Sequence, residues 1–280
     1  MLKVFAPDMP IERETGWYLF PRDVEYRKSL FPQGVFKHPA KANCYLIEEL
    51  VEYLTKPGDS IIDPFGGTGT LLLAARRGRK VVLIDVEEQF VELQREAIQT
   101  WSSPEHPSYY PDLELCFVYH GDNRQVLQTL PFLCDAAIFS PPYSSAALGG
   151  KVGFKQWRET GELADQYVDI GEYGGKEASA LNFGRLNPFM FKQHMNTLYE
   201  RLSNRLVPGA MVAIITKDIM KGPVREFISA PTIESAQKVG LKQVEWFKWK
   251  PPGSVMKKVL KSKGAHVVEE EDILIFRKEK

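Results

Sequence analysis

The sequence has few cysteines, no long apolar run and no excess of charge of either sign. Its three cysteines among 280 residues, Cys44, Cys116 and Cys134, are odd in number and far apart, which excludes a disulfide framework and a cysteine metal site. No apolar stretch approaches the ~20 residues of a membrane helix, and Met1 to Pro10 lacks the pattern of a secretory signal. These absences predict a soluble, cytoplasmic protein with reduced core thiols and without a metal.

Positive and negative charges balance overall but are distributed unevenly. With 36 Lys and Arg against 36 Asp and Glu, no global field attracts the chain to nucleic acid. Seven lysines nevertheless fall between Lys242 and Lys263, interleaved with aromatic residues, and an acidic run from Glu269 to Asp272 follows. Such a segment is either a solvated loop or a surface that contacts phosphates. The candidates for phosphate contacts are Lys257, Lys258, Lys261 and Lys263.

Strand and helix signals alternate along the chain. A chain that is 44% hydrophobic and 26% charged, at this length, predicts a single domain over residues 1–280. The alternation predicts a doubly wound α/β sheet with helices on both faces. Residues 1–37 form a lead-in segment, and the weakly periodic residues 144–188 are expected to form an inserted loop or lid. Strands are predicted at 59–63, 80–85, 113–119, 135–139, 211–216, 244–249 and 273–277, and helices at 46–54, 71–79, 87–100 and 191–206.

A glycine-rich loop follows the first predicted strand, between Asp63 and Thr70. Gly66, Gly67 and Gly69 allow positive φ and a close approach of the backbone to a ligand, and the following helix presents free N–H groups. A loop of this kind is by itself shared with dinucleotide-binding enzymes and with simple tight turns.

Carboxylates at the ends of the first three strands narrow the choice of ligand. Asp63 can receive an ammonium group, Asp85 can accept both hydroxyls of a ribose, and Asp122 can accept from an adenine amino group. An acid beside the glycine loop repels a pyrophosphate but suits the zwitterionic methionine end of S-adenosylmethionine. Two alternatives stay open, because Asp85 is also a plausible helix N-cap and Asp122 a plausible Asx-turn.

The fourth strand ends in Ser140-Pro-Pro-Tyr143. Two consecutive prolines fix φ and remove two N–H donors, so the exposed groups of this turn are mainly acceptors. Ser140 Oγ and the Pro141 carbonyl can accept the N–H bonds of an exocyclic base amine and free its lone pair for the methyl donor. Tyr143 offers a ring on which a flipped-out base can stack. The alternative is a proline-stiffened turn with a core tyrosine.

Both loops resemble those of the DNA amino-methyltransferases, which form N4-methylcytosine or N6-methyladenine. The resemblance rests on Asp63-Pro-Phe-Gly-Gly-Thr-Gly-Thr70 as cofactor loop and on Ser140-Pro-Pro-Tyr143 as catalytic loop. His38-Pro-Ala-Lys41 resembles the segment that precedes the family's cofactor loop, and Glu271 to Lys278 resembles its last strand.

The resemblance implies a Rossmann-like class I methyltransferase fold with a mostly parallel seven-stranded sheet. It assigns the target amine to Ser140, Pro141, Pro142 and Tyr143. A serine at the first position is typical of cytosine-N4 enzymes, so the expected reaction is methylation of cytosine N4 in DNA. The residues expected to bind S-adenosylmethionine are Lys41, Asp63, Pro64, Phe65, Gly67, Gly69, Thr70, Asp85 and Asp122.

Two departures from the family pattern favour a small stand-alone modifier. The cofactor loop precedes the catalytic loop, the reverse of many cytosine-N4 enzymes, and no long stretch is available for a separate target-recognition domain. An RNA base is the first alternative substrate. A protein glutamine amide is the second, although that family typically has asparagine where Ser140 stands. Cytosine-C5 chemistry is disfavoured because no cysteine follows a proline.

Overall fold

The computed structural model describes residues 4–37, 41–111, 113–142, 181–221, 223–253, 261–262 and 264–279, except for the side chains of Lys37 and Lys221. Tyr143, the His38 to Ala40 part of the family segment and residues 144–180 of the predicted lid lie outside the described residues.

Seven strands form one sheet at the centre of the described part of the chain. Its strands are β1 (Ser60–Asp63), β2 (Lys80–Asp85), β3 (Cys116–His120), β4 (Cys134–Phe139), β5 (Leu206–Thr216), β8 (Leu241–Trp249) and β9 (Glu271–Lys278). Two further strands, β6 (Ile219–Lys221) and β7 (Val224–Glu226), form a short hairpin. The strand order in the sheet is β3-β2-β1-β4-β5-β9-β8, with the β6–β7 hairpin separate. The first five pair in parallel, and β9 is antiparallel to both of its neighbours.

Helices connect the strands. They are α1 (Val24–Leu30), α2 (Cys44–Leu54), α3 (Glu88–Trp101), α4 (Asn123–Thr129), α5 (Pro188–Ser203) and α6 (Ser229–Gln237). The helix predicted at 71–79 is a 3₁₀ segment, Thr70–Arg77, and it is bounded by Gly69 and Gly78, which both take left-handed conformations. In the part of the chain that the structure describes, no helix combines the length and apolar character needed to cross a membrane.

Both faces of the sheet are covered. Ile61 of β1 belongs to the apolar cluster that includes Leu46 and Leu50 of α2, whereas the adjacent Ile62 belongs to a second cluster that includes Leu198 and Leu202 of α5. Burial on both faces explains why the central strands read as almost continuous apolar runs. The topology and the two-sided packing confirm the predicted Rossmann-like class I fold. The three cysteines are free thiols.

The N-terminal segment, residues 4–21, covers the outer edge of β8. Tyr18 N donates to the carbonyl oxygen of Lys248, and Lys250 N donates to the carbonyl oxygen of Tyr18, both at 2.9 Å. Phe20 packs edge-on against Trp249 with 5.8 Å between ring centroids. This pairing protects an edge that would otherwise present unpaired backbone groups, and it fixes Trp249 at the end of the sheet where β1, β2 and β4 also end.

Candidate active site

A cavity of about 430 Å³ runs along the carboxyl ends of the parallel strands, the edge at which open α/β sheets bind ligands. Gly69 does not line it but ends the glycine loop with a φ of 81°. The predicted site residues that line the cavity are Lys41, Asp63, Pro64, Phe65, Gly67, Thr70, Asp85, Asp122, Ser140, Pro141 and Pro142.

The glycine loop is shaped by contacts that exclude side chains. A Cβ on Gly66 would lie 2.8 Å from Gln94 Nε2 and 3.2 Å from Leu83 Cβ. Gly67 has a φ of 49°, in the left-handed region. The fully buried Gln94 donates from Nε2 to the Gly67 carbonyl oxygen at 2.7 Å. Sequence reasoning missed Gln94, which lies on α3, because its role depends on the packing of that helix against the loop.

Asp85 ties the glycine loop to the end of β2. Its Oδ2 accepts from Gly67 N at 2.7 Å, and its Oδ1 accepts from Glu87 N at 2.9 Å. Burial raises the pKa of Asp85 to about 6, although these backbone donors act in the opposite direction. Each carboxylate oxygen keeps a second lone pair, so the side chain can hold the loop and still accept from a ligand in the cavity.

Asp63 and Lys41 place an acidic and a basic side chain in the cavity wall. Asp63 Oδ1 accepts from Phe65 N at 2.8 Å. Burial raises the pKa of Asp63 to about 8, and the nearby Asp85 carboxylate adds to the effect. Burial also lowers the pKa of Lys41 to about 8, helped by the Arg27 guanidinium. A ligand that carries both an ammonium and a carboxylate would stabilise the charged forms of both side chains.

The carboxylate of Asp122 is engaged by its own helix. Oδ1 accepts from Arg124 N and Nε at 2.9 Å, and Oδ2 accepts from Arg124 Nη2 at 2.7 Å. The Asx-type cap, which was the alternative for this residue, is therefore present. The neighbouring Asn123 also lines the cavity, and its Nδ2 donates to the Pro64 carbonyl oxygen at 2.8 Å. That bond sets the orientation of the amide and leaves Oδ1 buried, with no hydrogen-bond partner among the residues that the structure describes.

The predicted catalytic loop begins where β4 ends. Phe139 is buried, Ser140 is exposed, and Pro141 and Pro142 are half-buried at the cavity wall. On the far side of this loop the cavity is lined by residues that sequence reasoning missed: Ile215, Lys217, Trp249 and Glu271. They come from β5, β8 and β9 and the residues that follow them, so only the strand order brings them to the site.

The segment before α5 closes part of the cavity. Asn182 Nδ2 donates to Glu87 Oε1 at 2.6 Å, and Phe183 packs edge-on against Phe65 with 5.4 Å between centroids. The end of the predicted lid, residues 181–183, therefore lies against the β2–α3 turn and the glycine loop. Helix α5 begins at Pro188 and is capped by Asn187.

Three described lysines of the lysine-rich segment form ion pairs. Lys248 Nζ lies 2.6 Å from Asp272 Oδ1, Lys250 Nζ lies 2.6 Å from Glu12 Oε1, and Lys261 forms an ion pair with Glu269. Strands β8 and β9 pair Lys248 directly with Asp272, so the acidic run neutralises lysines that seemed available. Lys257, Lys258 and Lys263 lie outside the described residues.

Comparison with known proteins supports the family resemblance over part of the chain. Residues 12–96 match the DNA methylase family of N6 and N4 methyltransferases. This region includes Lys41, the glycine loop and Asp85, but it ends before Ser140.

Individual relatives match short regions. The type II methyltransferase M2.DpnII of Streptococcus pneumoniae is 39% identical over 64 residues, 22% of this chain and 24% of the relative. A tRNA (guanine(10)-N2)-dimethyltransferase of Methanothermobacter thermautotrophicus is 36% identical over 106 residues, 37% of this chain and 28% of the relative. The chain thus spans about a quarter of the length of these curated relatives. The structure of TrmN from Thermus thermophilus superposes with a TM-score of 0.48 at 16% identity, covering 86% of this chain and 50% of that one.

The sheet topology defines a Rossmann-like class I methyltransferase fold. Within that class, the match over residues 12–96 confirms the resemblance to the DNA amino-methyltransferases for the half of the site that contains the glycine loop.

Proposed function

We propose that the chain is an S-adenosylmethionine-dependent methyltransferase that acts on an exocyclic amino group of a nucleic-acid base, cytosine N4 in DNA. One observation carries the proposal. The half-buried acids Asp63 and Asp85, the glycine loop and the acceptor-rich turn Ser140 to Pro142 line a single cavity. A carboxylate-lined site for a cationic donor therefore adjoins acceptors suited to an amine.

The residues on the β1–β3 side of the cavity fit this donor. Asp63 would hold its ammonium group and Lys41 its carboxylate, because the two charged groups of the donor would favour the ionised forms of both side chains. Asp85 would accept the ribose hydroxyls with its remaining lone pairs. We assign the adenine amino group to Asn123 Oδ1 in preference to the predicted Asp122, because Asn123 has the unpartnered acceptor. When bound, the cofactor supplies the methyl group.

Ser140 and Pro141 would prepare the amine for transfer. The nitrogen lone pair of a base amine is delocalised into the ring, so acceptors for both N–H bonds favour the pyramidal geometry in which that lone pair points away from them. Ser140 Oγ and the Pro141 carbonyl provide these acceptors, and Pro142 has no N–H with which to compete. Stacking of the base on Tyr143 stays a prediction.

The choice of DNA is supported by the DNA methylase match over residues 12–96 and by the similarity to M2.DpnII. The similarity to a tRNA guanine-N2 methyltransferase favours RNA as a second candidate substrate. The ion-paired lysines Lys248, Lys250 and Lys261 lend no support to either nucleic acid.

Incubation of the protein with isotope-labelled S-adenosylmethionine and either duplex DNA or structured RNA tests the proposal. Mass spectrometry of the released nucleosides is expected to show labelled N4-methylcytosine from DNA. Label in RNA alone would transfer the assignment to the second candidate. N6-methyladenine as sole product would contradict the inference from Ser140, and the absence of label from both nucleic acids would overturn the proposal.

Binding of the donor at pH 7 is expected to release up to about one proton, and Asp63→Asn is expected to abolish the release. With its pKa raised from 3.8 to about 8, Asp63 is mostly protonated at pH 7 in the donor-free protein. An ammonium group beside it favours the carboxylate, so the proton leaves. Calorimetry in buffers of different ionisation enthalpy measures the number released. Equal release by wild type and variant would assign the proton to another group.

The same raised pKa predicts how stability depends on pH. The folded state holds the Asp63 proton more tightly than the unfolded state, so this contribution is complete below about pH 4 and is lost as pH rises toward 8. Melting curves of the donor-free protein should therefore show a slope over this range that is smaller in Asp63→Asn.

A further inference from the structure

The cavity extends beyond the catalytic loop to a group of side chains that the donor does not need. Trp249 at the end of β8 pairs in register with Glu271 at the start of β9, and directly opposed residues of an antiparallel pair share one face. Lys217, just after β5, donates from Nζ to Glu271 Oε1 at 3.5 Å. All three line the cavity on the side away from β2 and β3.

Trp249 carries a donor without an acceptor among the described residues. Its side chain is 4% exposed, and its buried Nε1–H has no hydrogen-bond partner in that part of the chain. A buried donor without an acceptor is costly and calls for a functional explanation. The edge-on contact with Phe20 fixes the ring. A donor held rigidly in a cavity wall is the arrangement expected of a group that reads a ligand.

The distance between Trp249 and the catalytic loop suits a nucleobase. In the sheet, β5 and β9 separate β4 from β8, so three strand spacings of roughly 4.8 Å place the end of β8 about 14 Å from Ser140. Trp249 lines the cavity on one side of this interval. A base with its amino group at Ser140 and Pro141 would extend into it from the other.

We propose, resting on the function proposed above, that Trp249 selects the target base through a carbonyl oxygen at the far end of the base's pairing edge. Flipped bases are read on this edge by hydrogen bonds. The edge of cytosine runs from the amino group through a ring nitrogen to a carbonyl, and that of guanine from the amino group through a ring N–H to a carbonyl. Adenine has a C–H where the carbonyl stands, so it leaves the indole donor unpaired and is rejected.

The middle of the edge distinguishes the two accepted bases. Cytosine presents an acceptor there, which suits the Lys217 ammonium, whereas guanine presents a donor, which suits the Glu271 carboxylate. Lys217 and Glu271 contact each other, so both lie near the middle of this edge. The carbonyl contact with Trp249 is shared by both bases, and the methylated product identifies which base is used.

Trp249→Phe tests the proposal in the full-length protein, because it removes the N–H and keeps an aromatic ring against Phe20. We expect kcat/KM on the preferred base to fall by about 10- to 100-fold, the loss expected for one buried hydrogen bond, and the preference over adenine to shrink by a similar factor. The affinity for S-adenosylhomocysteine should stay within about twofold of wild type. Trp17→Phe is the matched control, since Trp17 is half-buried and does not line the cavity.

A substrate change makes the test independent of protein stability. A 2-aminopyridine nucleoside keeps the amino group and ring nitrogen of cytosine but lacks the carbonyl. If cytosine is the base used, this nucleoside should lower kcat/KM of wild type by about the factor by which Trp249→Phe lowers it on cytosine. In the variant, the change of substrate should lower kcat/KM little further. Additive losses, or unchanged base preference in Trp249→Phe, would overturn the proposal while the methyltransferase function stood. Adenine as the wild-type target would also overturn it. Failure to methylate any base would instead reject the function on which it rests.

Discussion

Replacement of Ser140 by alanine is expected to lower kcat for methyl transfer by about 100- to 1000-fold. A loss of this size is typical when one preorganised polar group that acts mainly in the transition state is removed. Ser140 is exposed at the end of β4 and faces the cavity beside Pro141 and Pro142. Its hydroxyl oxygen would accept from the amine as the nitrogen becomes pyramidal, an interaction weaker in the ground state. The loss should therefore appear in single-turnover rates, with donor affinity within about twofold of wild type.

Two further variants test whether the loss of activity is specific to the Ser140 hydroxyl. Ser140→Asn keeps an acceptor oxygen on a longer side chain and should retain more activity than Ser140→Ala. Ser102→Ala removes an exposed serine hydroxyl that donates to the Ile98 carbonyl oxygen and does not line the cavity, so it should leave kcat unchanged. Wild-type rates in Ser140→Ala would exclude the hydroxyl from the reaction. A parallel loss of donor affinity would indicate that Ser140 maintains the shape of the cavity instead.

Three of the residues found by sequence reasoning lie at the carboxyl end of a predicted strand. Asp63 and Asp85 are the last residues of β1 and β2, and Ser140 directly follows β4. Parallel strands end at the same edge, so the proximity of these residues follows from the alternation of strands and helices. No knowledge of side-chain packing was needed for this step. The fold could be predicted for the same reason, because its central strands have apolar runs that are bounded by glycine, proline or aspartate.

The residues missed depend on contacts between distant segments. Trp249 and Glu271 reach the cavity only because β9 lies between β5 and β8, an order that local patterns do not contain. Asn123 adjoins a predicted residue, but its unpartnered oxygen becomes apparent only once its amide is seen to donate to Pro64.

The lysine-rich segment shows what charge patterning leaves open. The charges along the chain were compatible with a solvated loop or with a surface that contacts phosphates, and the antiparallel register sets Lys248 against Asp272. The two closing strands were predicted, but their register was not, and the register decides whether a lysine meets phosphate or a carboxylate. Charge patterning predicts a surface only when the strands that carry it are aligned.

Asp85→Ala is expected to weaken binding of S-adenosylmethionine by at least about 1.5–3 kcal/mol, which corresponds to roughly 10- to 100-fold in Kd. The variant would lack the carboxylate that accepts from the ribose hydroxyls. Gly67 N and Glu87 N would also lose their present acceptor, so the glycine loop would lose its link to the end of β2. Calorimetric titration with S-adenosylmethionine and with S-adenosylhomocysteine measures the effect, and both ligands should be affected alike because they share the ribose.

Asp85→Asn separates the contribution to the ligand from the contribution to the loop. One amide oxygen can replace one carboxylate oxygen, but the NH₂ group must face either Gly67 N or Glu87 N, so donor affinity should fall between those of wild type and Asp85→Ala. Both variants should also flatten the dependence of stability on pH between about 4 and 6, because the raised pKa of Asp85 makes the folded state favour the proton and lose that stabilisation as pH rises to about 6. A flattened pH dependence with unchanged donor affinity would show that Asp85 only braces the glycine loop, and another group would then have to bind the ribose.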